Sequence, residues 1–204
     1  PVAELPVRAH TRRMPSAARG VSVAFVRAVS RFFATHGGMG RDMTQIVGHA
    51  GEWDVHAQRL AAAHSTMHVT VCGLTSTTGL SLVESCYAIA QASGLDASGL
   101  FGRANTYIAY AWAGTTLADV GASCQRAVRK LQVRDQKIGG GPTRYLWLDA
   151  LSASQNLIGG RYLANERCVK GSAEHILRTE QTAAMLDGAV SACTDCVLLL
   201  APLL

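Results

Sequence analysis

The chain of 204 residues has few charged side chains, few aromatic ones and no long apolar segment. Charged residues make up 16% and aromatic residues 6%, whereas hydrophobic residues make up 49%, which is too apolar for a disordered chain. The longest purely apolar run, residues 196–204, falls well short of the roughly 20 residues that cross a bilayer. The composition therefore predicts one or two globular domains without a transmembrane segment.

Cysteine is also sparse, because six residues in a chain of this length are too few for a disulfide scaffold. We therefore expect mostly reduced, buried thiols. Cys193 and Cys196 have the CxxC spacing of zinc and redox sites, but a structural zinc needs four ligands and no second CxxC is present. The other candidate ligands are Cys168, His175, His64 and His68. Buried thiols and exposed histidines also explain these residues, so we predict no metal site.

Acidic residues are missing from residues 5–41, while residues 1–41 hold seven arginines against Glu4 alone. An Arg-rich stretch without acids is typical of organelle transit peptides and of segments that dock on an acidic partner, although an ordinary solvated tail also explains it. We call residues 1–15 the basic arm. Cytoplasmic and organellar settings both stay open, a plastid among them, as does peripheral membrane association. No reader motif accompanies the arm, so no nucleic-acid partner is expected.

The hydrophobic pattern of residues 16–104 predicts helices. Apolar side chains recur at helical spacing over residues 16–36 and 42–64. Ser81 and Glu84 have the spacing of a capping box, and Gly94 suits the end of the helix that follows. We therefore predict an all-helical amino-terminal module over residues 16–104.

After Asn105 the pattern changes to short apolar runs that are rich in β-forming residues. The predicted strands cover residues 106–112, 144–149 and 196–201, and the predicted helices between them cover residues 116–132 and 172–193. Repeated strand–helix–strand order predicts a parallel sheet with right-handed crossovers. Residues 105–204 are thus predicted to form an α/β core with at least three parallel strands.

In such sheets ligands bind at the carboxyl ends of the strands, where the loops after the first two strands should meet. The first loop presents backbone N–H groups at a helix N-terminus, which favours a phosphate or carboxylate. The candidate binding residues are Gly114, Thr115, Thr116, Asp149, Ser152 and Gln155. Helix capping and turn formation alone also explain these residue types. The glycines at 139–141 precede a strand and belong to the opposite edge, so we assign them no phosphate.

Two segments resemble the paired signature of heterokaryon-incompatibility (HET) domains and of related algal and protist proteins: Thr106-Tyr-Ile-Ala-Tyr-Ala-Trp-Ala-Gly114 and Tyr145-Leu-Trp-Leu-Asp-Ala-Leu-Ser-Ala-Ser-Gln155. These proteins belong to the Toll/interleukin-1 receptor (TIR) superfamily. The resemblance covers about residues 105–202. It implies a flavodoxin-like core that self-associates or docks on other proteins, and that in some members cleaves NAD⁺ at the glycosidic bond.

The resemblance also implies a catalytic glutamate on the helix before the third strand, where it holds the nicotinamide ribose. Glu180 is the nearest acid, but it stands about one turn too early, and Ala183 has the expected register. An offset of one turn, about 5 Å, removes electrostatic stabilisation that depends on placement. We therefore expect a non-catalytic assembly protein, adaptor or accessory subunit, with an NAD⁺-cleaving or nucleotide-sensing enzyme that uses Glu180 as the alternative.

The resemblance has a further consequence for partners. Family members continue beyond the third strand, so we expect the α/β core to continue past Leu204. A three-stranded sheet has an open edge that can pair with another chain. We therefore expect protein partners, including a large complex docked through the basic arm and the open sheet edge.

Overall fold

The computed structural model describes residues 13–38, 41–47, 70–75, 77–112, 114–155 and 173–199. The elements in chain order are β1 (Gly20–Val21), α1 (Val23–Phe33), α2 (Met43–Val47), α3 (Val71–Thr75), α4 (Leu82–Ala92), β2 (Phe101–Gly102), β3 (Thr106–Tyr110), α5 (Leu117–Lys137), β4 (Leu146–Leu148), α6 (Asp149–Ser152), α7 (Ala173–Ala192) and β5 (Asp195–Leu199). A short 3₁₀ turn precedes β1, and a π turn follows α1. The described part is therefore mixed α/β.

The described strands form a five-stranded sheet in the order β2-β1-β4-β3-β5. β3 lies between β4 and β5 and runs parallel to both, whereas β1 is antiparallel to its neighbours β2 and β4. In this register Tyr107 lies opposite Trp147 on one side and opposite Cys196 on the other. The prediction that the three core strands lie side by side and run in the same direction is confirmed.

The amino-terminal part is not all helical, so that prediction is wrong. β1 and β2 lie within residues 16–104 and extend the sheet beyond β4. Their approach requires glycine, because a Cβ on Gly20 would lie 2.7 Å from the backbone of Ala104 and of Gly102. The helix predicted from residue 16 begins only at Val23, where the Ser22 side chain accepts a hydrogen bond from the N–H of Phe25.

Two capping boxes begin α4 and α5, and the first is the one predicted at Ser81 and Glu84. The Ser81 hydroxyl accepts from the N–H of Glu84 at 3.1 Å, and the Glu84 carboxylate accepts from the N–H of Ser81 at 2.8 Å. Thr116 and Asp119 form the same pair of bonds at the start of α5. After α4 the chain turns at Gly94, whose φ of +66° lies in the left-handed region that favours glycine.

Several predictions fall outside the described residues. They are most of the predicted helix over 42–64, His64 and His68, residues 1–12 of the basic arm, Cys168, and residues 200–201 of the third predicted strand. The division of the chain at residues 104/105 stays a prediction.

Helices cover both faces of the sheet. Ile108 and Leu148 point to one face and join the larger hydrophobic core, to which α1 and α5 contribute. Trp147 points to the other face and packs against Ala189 of α7. Because helices cover both faces, the amino and carboxyl ends of the parallel strands are among the parts of the sheet that stay accessible. Among the described helices, none combines the length and hydropathy needed to span a membrane.

Candidate functional site

The carboxyl ends of β3 and β4 meet at one edge of the sheet, because the two strands are parallel neighbours. We call residues 110–112, 114–116 and 149–155 the carboxyl rim. The indole N–H of Trp112 donates to Asp149 Oδ2 over 2.9 Å and joins the two loops directly. The structure therefore brings together the two loops that the sequence placed at this edge.

Asp149 is the titratable group at the centre of the carboxyl rim. Its second oxygen, Oδ1, accepts from the N–H of Ala150 at 2.7 Å. Burial raises the pKa of this carboxyl, and its hydrogen-bond donors offset part of the rise. The Tyr110 hydroxyl oxygen is buried nearby, and burial, followed by the charge of Asp149, raises its pKa well above the ordinary value. Titratable groups with perturbed pKa values cluster at functional sites, so Asp149 and Tyr110 are candidates for a chemical role.

The predicted phosphate position at the start of α5 carries negative charge of its own. The N–H of Gly114, a residue with φ of +72°, donates to Asp42 Oδ2 at 3.3 Å. The Thr115 carbonyl accepts from the N–H of Met43 at 2.9 Å, and the Thr116 hydroxyl donates to Asp119 Oδ2 at 2.5 Å. Two carboxylates thus occupy the helix N-terminus, where they complement the helix dipole and repel a further anion.

Ser152 and Gln155 point into the protein rather than toward solvent, since both are fully buried. The Ser152 hydroxyl donates to the Arg19 carbonyl at 2.9 Å and accepts from the N–H of Leu148 at 3.3 Å. The Gln155 amide donates to the Asp149 carbonyl at 2.6 Å. Both side chains hold the carboxyl rim in shape.

Glu180 is exposed on α7, and so is Ala183, the residue in the expected register. Among the described residues the Glu180 side chain makes no hydrogen bond or ion pair, so nothing polar joins it to the carboxyl rim. Its catalytic role stays a prediction.

Sequence reasoning missed a cluster of four charges at the opposite edge of the sheet. The Arg144 guanidinium is buried and contacts both Asp135 at the end of α5 and Asp195 at the start of β5. Arg134 adds a second cation, 2.7 Å from Asp195 and 3.1 Å from Asp135. Hydrogen bonds from Arg134 lower the pKa of Asp195 to about 2. The cluster joins α5, β5 and the segment before β4, and its four residues are spread over positions 134–195 of the sequence.

A buried ion pair between Arg19 and Glu84 lies next to the carboxyl rim. Arg19 Nη2 lies 3.2 Å from Glu84 Oε1, and Arg19 also donates to the carbonyls of Met14 and Ser152. Glu84 Oε1 accepts from the N–H of Met14 at 3.0 Å. The segment before β1 is thereby fixed to α4 and to α6. The capping-box position of Glu84 was the visible signal, but its second role as an ion-pair partner was not.

Among the described strands, β5 is paired on one side only, with β3. Leu198 is 64% exposed and Cys196 is exposed on the same face of this strand. On α7, Ile176, Leu177 and Val190 are also about half exposed. We call the outer side of residues 195–199 the β5 edge. Its one charged residue, Asp195, is already paired with Arg134 and Arg144.

Within the part of the chain that the structure describes, no three His, Cys, Asp or Glu side chains gather as a metal site would require. Comparisons of the chain with protein-family models, with curated proteins and with solved structures found no match.

Proposed function

We propose that this chain is a non-catalytic assembly protein, either an adaptor or an accessory structural subunit of a larger complex, built on a flavodoxin-like core of the TIR/HET type. The β5 edge carries the proposal. Among the described strands it is paired on one side only, and it combines an exposed leucine with an aspartate that is ion-paired to Arg134 and Arg144. A partner strand can add to such an edge through main-chain hydrogen bonds, with side chains providing specificity.

The strand order supports the flavodoxin-like assignment. Counted along the chain, the three parallel strands β3, β4 and β5 stand in the spatial order second, first, third. Flavodoxin-like sheets begin with this order. Helices on both faces of the sheet agree with the same architecture.

Within residues 195–199, the β5 edge also lacks the sequence features that usually keep an edge strand from pairing with another strand. Residues 195–199 contain no lysine, no proline and no glycine, and their register with β3 is continuous. Natural edge strands that stay unpaired are commonly protected by charges, prolines or bulges. An edge without this protection suits a protein that works by association.

The carboxyl rim supports a non-catalytic role for the same chain. The hydrogen-bonding groups of Thr116, Asp149 and Ser152 are used within the protein. The carboxylates of Asp42 and Asp119 stand where the pyrophosphate of a dinucleotide would need positive or N–H groups. Binding of NAD⁺ there would require these contacts to break.

The test is the size of the particle that contains the tagged chain when it is expressed in its natural source. The change Leu198→Lys places a charge on the β5 edge, and we expect the chain to leave the large particle and to elute as a smaller species. The control Ile138→Lys adds the same charge at a residue that is 77% exposed after α5, and should leave the particle intact. An unchanged particle with Leu198→Lys would contradict the proposal.

One observation favours the enzymatic alternative, namely the perturbed Asp149 beside the Tyr110 hydroxyl. Incubation of the purified chain with NAD⁺ and chromatographic detection of free nicotinamide tests it directly. We expect no turnover above a boiled sample. Turnover that is abolished by Glu180→Ala would replace the assembly proposal with catalysis.

A further inference from the structure

Two cysteines flank the turn where α7 ends and β5 begins. Cys196 stands opposite Tyr107 in the parallel register, on the sheet face that Trp147 shares. Cys193 packs against the hydrophobic cluster on that same face. Cys196 is exposed and Cys193 half-buried, whereas Cys72 and Cys124 are buried as expected. The expectation of buried thiols is therefore wrong for Cys196.

The backbone between the two thiols is a fixed turn. The N–H groups of Thr194 and Asp195 both donate to the Asn105 carbonyl, at 3.0 and 3.2 Å. The Thr194 hydroxyl donates to the same carbonyl at 3.1 Å. The N–H of Cys193 donates back to Val190 at 3.1 Å and ends the helix. These hydrogen bonds fix the backbone of the turn that separates Cys193 from Cys196.

We propose that Cys193 and Cys196 are a reversible dithiol–disulfide pair that closes the turn between α7 and β5. The two-residue spacing is that of redox-active CxxC motifs. Cys196 lies on the sheet face of Tyr107 and Trp147, and Cys193 packs against the hydrophobic cluster on that face, so both thiols are on the same side of the sheet, as a bond between their sulfurs requires. The oxidant is a small-molecule disulfide such as glutathione disulfide.

The chemistry proceeds in two thiol–disulfide exchanges. The Cys196 thiolate, being exposed, attacks one sulfur of glutathione disulfide, which forms a mixed disulfide and releases one glutathione thiolate. The Cys193 thiolate then attacks the Cys196 sulfur, forms the protein disulfide and releases the second glutathione. Two thiols of the protein are oxidised and one small disulfide is reduced to two thiols, with the protons passing to solvent or to the released thiolates.

The environment of Cys193 makes the closing step dependent on pH. Burial, followed by the charges of Cys196 and Asp195, raises the pKa of its thiol to about 11. Only the thiolate attacks, so a small fraction of the Cys193 thiol is reactive at neutral pH. Closure should become faster as the pH rises from 7 to 9, roughly tenfold for each pH unit, because the thiolate fraction grows in that proportion below the pKa.

The experiment incubates the purified full chain in glutathione buffers of graded oxidised-to-reduced ratio, quenches with an alkylating reagent and maps the modified peptides by mass. We expect an internal Cys193–Cys196 disulfide in the wild type. Cys193→Ser should instead trap one glutathione on Cys196, and Cys196→Ser should take up none at Cys193. A wild type that stays fully reduced at the oxidising end would overturn the proposal, as would a wild type that stops at the mixed disulfide.

Two further variants make the assignment specific. Cys168→Ser tests whether the thiol of Cys168, which lies outside the described residues, is the true partner of Cys196; loss of the disulfide in this variant would overturn the proposal. Cys86→Ser is the matched control at another half-buried thiol, and should leave closure unchanged. Circular dichroism of each variant establishes that the chain is folded before the thiols are compared.

Discussion

The burial of Trp147 offers the sharpest test of how the sheet and α7 are held together. Its side chain is 0% exposed, packs against Ala104, Ala153 and Ala189, and stacks on Tyr107 with ring centres 5.5 Å apart. The indole N–H donates to the Ser16 carbonyl at 3.2 Å. Trp147 therefore joins β4 to β3, to α7 and to the segment before β1.

The expected cost of Trp147→Ala follows from these contacts. Truncation of a buried tryptophan typically costs about 3–5 kcal/mol of unfolding free energy, through lost transfer energy and the cavity that remains. The neighbouring alanines are too short to fill the space, which favours the upper half of that range. Loss of the donor to the Ser16 carbonyl adds about 1 kcal/mol. Because a domain of this size is commonly stable by about 5–15 kcal/mol, the variant should lose about a third or more of its free energy of unfolding.

Urea unfolding followed by circular dichroism measures the effect without using tryptophan fluorescence, which the substitution itself changes. Trp147→Phe keeps an aromatic ring against Tyr107 and loses mainly the hydrogen bond and part of the volume, so we expect about 1–2 kcal/mol. Ile138→Ala, at a residue that is 77% exposed, should change stability by less than about 0.5 kcal/mol. If Trp147→Ala lowers the free energy of unfolding no more than Ile138→Ala does, the burial and contacts of Trp147 do not stabilise the fold as expected.

Two other predictions concern the stability of the fold at low pH and the substitution of Gly20. The folded-state pKa of Asp195 is about 2, below its ordinary 3.8, so the ionised side chain stabilises the fold above about pH 4 and this stabilisation is lost as the pH falls toward 2. The urea midpoint should therefore fall between about pH 4 and pH 2. It should fall less steeply in Asp195→Asn, which has no carboxylate at this position. Asp135 titrates in the same direction, since hydrogen bonds from Arg144 lower its pKa. A Cβ at Gly20 meets backbone atoms at 2.7 Å, so Gly20→Ala should cost about 1–3 kcal/mol in urea unfolding, whereas Gly99→Ala, with nothing within 4 Å, should be nearly neutral.

Local signals predicted much of the fold. The capping boxes at Ser81 and Thr116 are complete within three residues, and both helices begin where these pairs place them. The strand at 106–110 was visible as a short apolar run rich in β-forming residues. Such features depend on neighbours in the chain, so their energies can be read without knowing the rest of the molecule.

The candidate site was predicted less completely. The two loops of the carboxyl rim were found from strand direction alone, and Trp112 and Asp149 do meet there. The side-chain directions of Ser152 and Gln155 were not predictable, because a polar residue in a loop can face solvent or bond inward. The role of Asp42 at the start of α5 was missed, since it lies far away in the sequence.

Patterns along the chain were enough to predict the parallel direction of the core strands, from the strand–helix–strand alternation, and the starts of α4 and α5, from their capping residues. The spatial order of the strands, the addition of β1 and β2 to the sheet and the binding of Arg144 to two aspartates from separate elements became visible only in the folded structure. The folded structure also decided that the β5 edge is left with an exposed leucine. Contacts of this second kind join residues many positions apart, and their energy appears only after the chain has folded around them.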